Sequence, residues 1–313
     1  MNKILITGCA GFIGFHLCNL FLNRKYKVVG IDNFTSSYPK FHKKNRMNIL
    51  KKHPNFKFYN MSVSYIKNIT QKDFNLIIHL AAEAGVRASL KNPIKFVNQN
   101  ISNTIRIFEF AKDNNISKVF YASSSSIYGE NNIYPSKEKD GFNKPLSIYG
   151  LTKSTNELTA YYYKTVFNIS SIGFRFFTVY GPFGRPDMFI HKLLNNIKIK
   201  KTIKLHNYGK NLRDYTYIDD VIKILKNYSK LKHLKKNIFN ICRSQPIETN
   251  KLIKKIQKSL KRDIKFKLIP KVKGEMYITH GSNKRIFKHF KLRFTSIDKG
   301  IEQTIKTYNL KGF

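Results

Sequence analysis

The chain of 313 residues has no tryptophan, only three cysteines, and 18 acidic residues against 58 lysines and arginines. Cys9, Cys18 and Cys242 are too few and too scattered to predict a disulfide framework, and neither they nor the histidines show metal-ligand spacing. No apolar run is long enough to span a bilayer, and the first predicted strand begins near Ile4, which leaves no room for a secretion signal. These absences predict a cytoplasmic protein with reduced thiols, no metal and no membrane partner.

The excess of basic residues gives a formal net charge of +40 at pH 7. Such a charge is compatible with a polyanionic partner such as nucleic acid. The lysines are spread along the whole chain, however, with no basic tail and no nucleic-acid module, while asparagine and isoleucine are also abundant. This pattern favours the compositional bias of an A+T-rich gene, so no dedicated nucleic-acid partner is predicted. A positive field would still attract an anionic small substrate.

Short apolar segments alternate with helical patterns through the first half of the chain, which is typical of a parallel sheet covered on both faces. We therefore predict an α/β fold with a Rossmann-type doubly wound parallel sheet over residues 1–175. From residue 176 to residue 313 the pattern is irregular and favours a smaller substrate-binding lobe, with segments around 212–242 returning to the Rossmann domain. The predicted strands are Lys3–Thr7, Tyr26–Ile31, Asn75–Leu80, Lys118–Ser123 and Ser170–Phe176.

Three glycines, Gly8, Gly11 and Gly14, lie where the first strand turns into a predicted helix. Missing side chains allow a tight turn and a close approach of the backbone to a pyrophosphate, which the helix amino terminus then faces. Asp32 ends the second strand, where a carboxylate accepts hydrogen bonds from the adenosine ribose and repels a 2′-phosphate. NAD is therefore favoured over NADP, although Asp32 could instead cap a turn with Asn33.

Tyr149 and Lys153 are four residues apart, so both fall on one face of a helix. A nearby ammonium group favours the phenolate and would lower the pKa of the tyrosine. Such a tyrosine can take a proton from a sugar hydroxyl while hydride leaves the same carbon. Ser124 lies in a serine run at the end of a predicted strand, where its hydroxyl could bind the same oxygen. The alternative is that the serine run is a solvated strand end.

Three further segments carry a family resemblance: AGVR at Ala84–Arg87, ASSSSIYG at Ala122–Gly129, and RFFTVYGPFGRPDM at Arg175–Met188. Together with the glycine triplet and the Ser124, Tyr149 and Lys153 set, they resemble the extended short-chain dehydrogenases/reductases that act on nucleotide sugars. Within that family the chain is most similar to the UDP-glucuronate 4-epimerases. The resemblance covers nearly the whole chain to about Val221 and is weaker beyond it.

The resemblance implies roles for individual residues. Tyr149 would be the acid/base, Lys153 its pKa partner and the anchor of the nicotinamide ribose, and Ser124 the partner of the sugar O4. The sugar carboxylate would be bound by Ser125, Ser126, Thr178 and Arg185. Arg87 would face the sugar itself, Arg213 would bind the diphosphate, and His206 would contact the uracil. Further cofactor contacts would come from Phe12, Ile13, Asn33, Asn60, Met61, Leu80, Ala81 and Ala82, with Asn100 holding the backbone of the active site.

The implied reaction is NAD-dependent 4-epimerisation of UDP-glucuronate to UDP-galacturonate through a transient 4-keto sugar. A 4-epimerase of a neutral UDP-sugar stays open, although such enzymes usually have asparagine in place of Thr178. Dehydratases and decarboxylases of this scaffold have an acid where this chain has Ser126. A non-catalytic NAD-binding regulator is a further alternative. The family also implies a homodimer through helices near Phe96–Ala111 and Tyr149–Phe167.

Overall fold

The computed structural model describes residues 2–35, 38–129, 133–141, 145–231, 236–271 and 276–308. The strands are β1 Lys3–Thr7, β2 Lys27–Ile31, β3 Phe56–Tyr59, β4 Leu76–His79, β5 Lys118–Ser124, β6 Ser170–Phe176, β7 Thr178–Tyr180, β8 Ile203–Leu205, β9 Leu212–Tyr217, β10 Ile238–Ile241, β11 Pro246–Glu248, β12 Phe266–Leu268 and β13 Ile278–Thr279. The helices are α1 Phe12–Leu22, α2 Lys40–Leu50, α3 Val86–Lys91, α4 Pro93–Phe96, α5 Asn103–Asp113, α6 Ile148–Phe167, α7 Phe189–Lys198, α8 Ile218–Ser229, α9 Thr249–Leu260, α10 Lys284–Phe287 and α11 Ile297–Lys306.

A seven-stranded sheet in the order β10-β6-β5-β4-β1-β2-β3 forms the centre of the molecule, and all of its strand pairs are parallel. Its strands are rich in isoleucine and valine because a parallel sheet is buried on both faces. One face packs against α1 and α8, and the other against α5 and α6. The predicted Rossmann-type doubly wound sheet is thereby confirmed.

The chain runs outward from β1 through β2 to β3, and then returns to continue from β4 on the other side of β1. Ligands of open α/β sheets bind at such a reversal, beyond the carboxyl ends of the strands. The loops after β1, β2, β4 and β5 all reach this edge, so the topology brings together segments that are more than a hundred residues apart in the sequence.

Two smaller sheets lie in the second half of the chain. Strand β9 pairs with β7, β11 and β13, and β8 pairs with β12. The segment that returns to the central sheet is β10, which pairs with β6. The division into two domains at residue 175 stays a prediction. Within the part of the chain that the structure describes, no helix is long and apolar enough to cross a membrane.

Candidate active site

The turn between β1 and α1 is built on close backbone contacts that only glycine permits. Gly8 has a φ of +72°, and a Cβ atom there would lie 2.7 Å from the amide nitrogen of Ala81. A Cβ atom on Gly14 would lie 2.2 Å from the carbonyl oxygen of Gly8. The turn therefore brings the first turn of α1 against the end of β1, with Gly11 and Phe12 facing a cavity.

Asp32, directly after β2, is buried beside this turn. Its carboxylate accepts hydrogen bonds from the amides of Ala10 at 3.2 Å and of Phe34 at 2.8 Å. It also forms an ion pair with the Nζ atom of Lys43, at 3.5 Å. The backbone contacts are those of a turn-capping residue, but Asp32 lines the cavity as well, so capping does not exclude ligand binding.

The cavity at this edge of the sheet has a volume of about 460 Å³. It joins the glycine turn, the ends of β4 and β5, the start of α6 and the loop after β7. The predicted site residues that line it are Gly8, Gly11, Phe12, Ile13, Gly14, Asp32, Asn33, Met61, Leu80, Ala81, Ala82, Ser124, Ser125, Ser126, Tyr149, Lys153, Thr178, Arg185 and Arg213.

Tyr149 lies in the first turn of α6, whose amino terminus is capped by the hydroxyl of Ser147. Burial raises the pKa of the Tyr149 phenol above its ordinary value, while a hydrogen bond with Ser124 and the charge of Arg185 lower it in part. Ser124 also accepts a hydrogen bond from the amide of Ser126 at 3.1 Å, which fixes its side chain at the end of β5. The phenol and the serine hydroxyl therefore lie close together, and both residues line the cavity.

Lys153 is on the same face of α6 as Tyr149, as the spacing predicts, but its ammonium group is hydrogen-bonded to the backbone. Its Nζ atom donates to the carbonyl of Ala122 at 2.9 Å and lies 6.0 Å from the centroid of the Tyr149 ring. Burial lowers the pKa of Lys153 to about 8. The groups that lower the pKa of Tyr149 are Ser124 and Arg185, so the predicted Lys153 effect on that pKa is not found in this structure.

Asn100 lies behind the cavity, in a π-helical turn over Val97–Ser102, and its side chain is fully buried. Its side chain accepts from the amide of Glu83 at 2.8 Å and donates to the Glu83 carbonyl at 3.0 Å. It also donates to the hydroxyl of Thr152 at 3.0 Å, and that hydroxyl donates to the Tyr149 carbonyl at 2.9 Å. Asn100 thus ties the loop after β4 to the first turn of α6.

Arg185 is on the loop between β7 and α7, and its side chain is 22% exposed. It donates to Asp187 from Nε at 3.1 Å and from Nη2 at 2.7 Å, while its guanidinium carbon lies 5.8 Å from the ring centroid of Tyr38. Two of its five N–H groups are used by Asp187, and the other three have no partner among the described residues. Arg185 therefore pairs with Asp187 and also faces the cavity of Tyr149.

Four predicted site residues do not line the main cavity. Asn60 is exposed after β3, and Asn100 lies behind the cavity wall. Arg87 lines a second cavity of about 430 Å³, which shares Ser126 and Arg213 with the first. His206 lies in a short helical turn over His206–Gly209 and lines neither cavity. Its proposed contact with uracil has no support from this placement.

Several cavity residues were not identified from the sequence, among them Thr35, Tyr38 and Lys43. The last two flank the start of α2, and Lys43 is eleven residues beyond Asp32 with no motif around it. Only the fold shows that α2 turns back toward the end of β2. Because Lys43 comes near Asp32 only through the path of α2, the sequence carries no local signal for it.

A family model, that of the NAD dependent epimerase/dehydratase family, matches residues 4–242. A UDP-glucuronate 4-epimerase from Thermodesulfobacterium geofontis is 35% identical over 97% of this chain and 95% of its own length. The crystal structure of a UDP-glucuronic acid 4-epimerase from Bacillus cereus with UDP-glucuronic acid and NAD has a TM-score of 0.88 and 32% identity, covering 98% of both chains. A UDP-N-acetylglucosamine 4-epimerase from Methanobrevibacter ruminantium, with UDP-N-acetylmuramic acid, has a TM-score of 0.89 and 25% identity over 98% of both chains.

Proposed function

Because this chain belongs to the NAD-dependent epimerase/dehydratase family, we propose that it interconverts UDP-glucuronate and UDP-galacturonate by epimerisation at C4. The family resemblance and the NAD dependence predicted from the sequence are confirmed by the match over residues 4–242. The observation that carries the substrate assignment is that Arg185 lines the same cavity as Tyr149, so that a cation faces the proposed site of proton transfer.

The glycine turn and Asp32 fit NAD. A side chain at Gly8 or Gly14 would clash with the neighbouring backbone, so the turn is as close-packed as a dinucleotide site requires. The amino terminus of α1 presents amide donors suited to a pyrophosphate. The Asp32 carboxylate at the end of β2 would hold the adenosine ribose, with Lys43 beside it. NAD held there would supply the hydride acceptor and donor that epimerisation at C4 requires.

Tyr149 and Ser124 supply the proton chemistry of this proposal. Both side chains line the cavity, so a sugar hydroxyl that lay between them could pass its proton to Tyr149. Only the ionised phenol can accept that proton. Burial opposes the ionisation by raising the pKa of Tyr149, while the positive charge of Arg185 favours it. Lys153, buried four residues along α6, would meet the nicotinamide ribose rather than the phenol.

Recognition of the sugar carboxylate would fall to Arg185 with the hydroxyls of Thr178, Ser125 and Ser126. All four line the cavity. An arginine can hold a carboxylate through two parallel charge-assisted hydrogen bonds, which a neutral hydroxymethyl group cannot accept. The three N–H groups of Arg185 that Asp187 does not use are sufficient for this contact.

The nucleotide half of the substrate would extend past Arg213 into the second cavity. Arg213 donates to the carbonyls of Leu212 at 2.8 Å, Tyr277 at 2.9 Å and Met276 at 2.8 Å, which holds its guanidinium at the junction of the two cavities. A cation there suits a diphosphate. Arg87, which the sequence predicts to face the sugar, lines this second cavity and not the first, so we propose for it a contact with the nucleotide half instead.

A 4-epimerase of a neutral UDP-sugar is the second candidate. The structural similarity to the Methanobrevibacter ruminantium UDP-N-acetylglucosamine 4-epimerase favours it, since that fold is matched over 98% of both chains. Its sequence identity of 25% is lower than the 35% shared with the Thermodesulfobacterium geofontis enzyme. Arg185 and its place in the cavity give the uronate the stronger support.

A homodimer is also proposed. Helix α6 exposes apolar side chains over its whole length, and such a surface is typical of a protein interface. These are Leu151 at 43%, Leu158 at 55%, Tyr161 at 64%, Tyr162 at 51% and Val166 at 56% exposure. Sedimentation analysis measures the assembly directly.

The cytoplasmic location expected from the few cysteines stays a prediction.

Incubation of the purified protein with UDP-glucuronate, followed by chromatographic separation of the UDP-sugars, tests the proposed function. UDP-galacturonate should accumulate to an equilibrium mixture without any added NAD, because an epimerase regenerates its cofactor in each turnover. The same incubation with UDP-glucose and with UDP-N-acetylglucosamine tests the second candidate. Formation of a neutral epimer and no uronate product would favour that candidate.

A further inference from the structure

Arg46, on α2, is a buried cation without an acidic partner. Its side chain is 1% exposed, and no ion pair to it is found among the described residues. All five of its N–H groups donate instead to neutral oxygens. Nε and Nη2 donate to the carbonyl of Phe183 at 3.0 and 2.6 Å, and Nη2 also donates to Gly184 at 3.0 Å. Nη1 donates to the carbonyl of Ala10 at 3.0 Å and to the hydroxyl of Tyr38 at 2.7 Å.

Two of the three carbonyls that accept from Arg46 belong to the residues immediately before Arg185, Phe183 and Gly184. Phe183 has a φ of +56°, a left-handed conformation that is costly for a residue with a side chain. Such a conformation persists only where the surroundings fix it, and three of the five hydrogen bonds of Arg46 act on this segment. The direction in which the chain leaves Gly184 toward Arg185 therefore depends on Arg46.

Tyr38 connects the same two arginines through its ring. Its ring centroid lies 5.6 Å from the guanidinium carbon of Arg46 and 5.8 Å from that of Arg185, and the residue is 8% exposed. Cations within about 6 Å of an aromatic ring are attracted to its face. Arg46 thus fixes Arg185 from two sides, through the backbone that precedes it and through the ring that its side chain rests against.

We propose that Arg46 is a positioning residue for substrate selection. It holds Arg185 in the orientation that binds the sugar carboxylate, and its hydrogen bond to Ala10 connects Arg185 to the turn that binds the cofactor. The inference rests on the proposed function. A buried, fully hydrogen-bonded cation could also serve only to stabilise the fold, so the test must read selectivity separately from stability. The distinguishing property is that Arg46 acts on the carboxylate through Arg185, and not on the rest of the UDP-sugar.

The experiment measures calorimetric binding of UDP-glucuronate and UDP-glucose to NAD-containing protein in a Tyr149→Phe background, which prevents turnover. The variants are Arg46→Lys, Arg185→Ala and the two combined, with Arg24→Lys as a matched control at an exposed arginine. Arg46→Lys keeps the charge but loses the fork of donors, and we expect UDP-glucuronate to bind about tenfold more weakly. Binding of UDP-glucose should change less than about twofold, and Arg46→Lys should add little further loss once Arg185 is alanine.

Equal losses on both sugars, or losses that add in the combined variant, would overturn the inference and leave Arg46 a structural residue. If Arg46→Lys does not fold, Tyr38→Leu leaves Arg46 in place, removes the ring beneath Arg185, and should produce the same selective loss. Unchanged selectivity in that folded variant would equally overturn it. If the Tyr149→Phe protein with no further change prefers UDP-glucose, the proposed function and this inference are both overturned. If that protein prefers UDP-glucuronate but the Arg46 variant loses affinity for both sugars equally, only the inference is overturned.

Discussion

The carboxylate of Asp187 accepts two hydrogen bonds from the guanidinium of Arg185, from Nε at 3.1 Å and from Nη2 at 2.7 Å. Both residues line the proposed substrate cavity. A sugar carboxylate bound to Arg185 would therefore lie near a second negative charge. The pair keeps the arginine extended into the cavity, but it also opposes the binding of an anionic sugar.

Asp187→Asn should therefore strengthen the binding of UDP-glucuronate, because it removes a like charge near the sugar carboxylate. Partly exposed charge pairs contribute about 0.2–1 kcal/mol, so we expect the Kd to fall by up to about fivefold. Calorimetry with UDP-glucose is the control, since its neutral sugar should bind unchanged. Weaker binding of UDP-glucuronate in the variant would mean that Asp187 holds Arg185 in place more than it repels the ligand.

Tyr149→Phe should abolish epimerisation while the protein still folds and retains NAD. The change deletes only the phenol hydroxyl that lies in the cavity with Ser124, and loss of a positioned acid/base group costs about 10²–10⁴-fold in rate. Turnover is measured by chromatography, and bound NAD is measured after denaturation. Tyr65→Phe, at a 61% exposed position outside the cavities, is the matched control. Activity of Tyr149→Phe within a few-fold of wild type would exclude Tyr149 as the acid/base.

Asp32→Ser should weaken the binding of NAD and reduce the ratio of NAD affinity to NADP affinity. The change removes the proposed acceptor for the ribose hydroxyls and leaves Lys43, 3.5 Å from the former carboxylate, free to meet a 2′-phosphate. A lost charged hydrogen bond of about 1.5–3 kcal/mol corresponds to roughly a ten- to hundredfold loss of NAD affinity. Fluorescence titration of both dinucleotides measures the ratio.

The double variant Asp32→Ser/Lys43→Met is the control for this prediction. It should bind NAD as weakly as Asp32→Ser does, but without Lys43 it should not bind NADP more tightly than the wild type. Isolation of the wild-type protein with NADP would show that Asp32 does not select the cofactor as proposed.

Buried histidines should make the fold lose stability in acid. Burial lowers the pKa of His191 to about 4, from an ordinary value near 6.5 in the unfolded chain. The folded state therefore favours the neutral ring, and its stabilising contribution is complete above pH 6.5 and is lost as the pH falls toward 4. Between pH 7 and pH 5 this histidine should account for about 2 kcal/mol of the free energy of unfolding.

Urea denaturation at several pH values measures that slope. His191→Gln should have a shallower decrease between pH 7 and pH 5 than the wild type, while the same change at the half-buried His53 serves as the control. An unchanged slope in His191→Gln would contradict the assignment of a buried neutral ring.

The sequence was sufficient to predict five strands of the central sheet, because their short apolar runs alternate with helical patterns. Strands β1 and β6 begin and end where predicted, at Lys3–Thr7 and Ser170–Phe176, and the other three differ by one or two residues. The four-residue strand β3, Phe56–Tyr59, was missed because it is short, lies at the sheet edge and is only partly buried. Short edge strands carry little hydrophobic pattern.

Within the site, spacing located residues but not the directions of their side chains. Lys153 shares a helix face with Tyr149 as predicted, yet its ammonium donates to the Ala122 carbonyl. The contacts of Arg46 with Phe183 join residues 137 positions apart in the sequence. No local pattern indicates such a contact, because it depends on how α2 and the loop after β7 meet in the folded chain.

The central claim is that Arg185 selects a uronate, and the most direct test is the ratio of kcat/KM for UDP-glucuronate to that for UDP-glucose in wild type and in Arg185→Ala. A buried charge-assisted hydrogen bond is worth about 1.5–3 kcal/mol, so the ratio should fall by roughly ten- to a hundredfold in the variant. The wild type should prefer UDP-glucuronate. An equal loss on both substrates, or a wild-type preference for UDP-glucose, would contradict the claim.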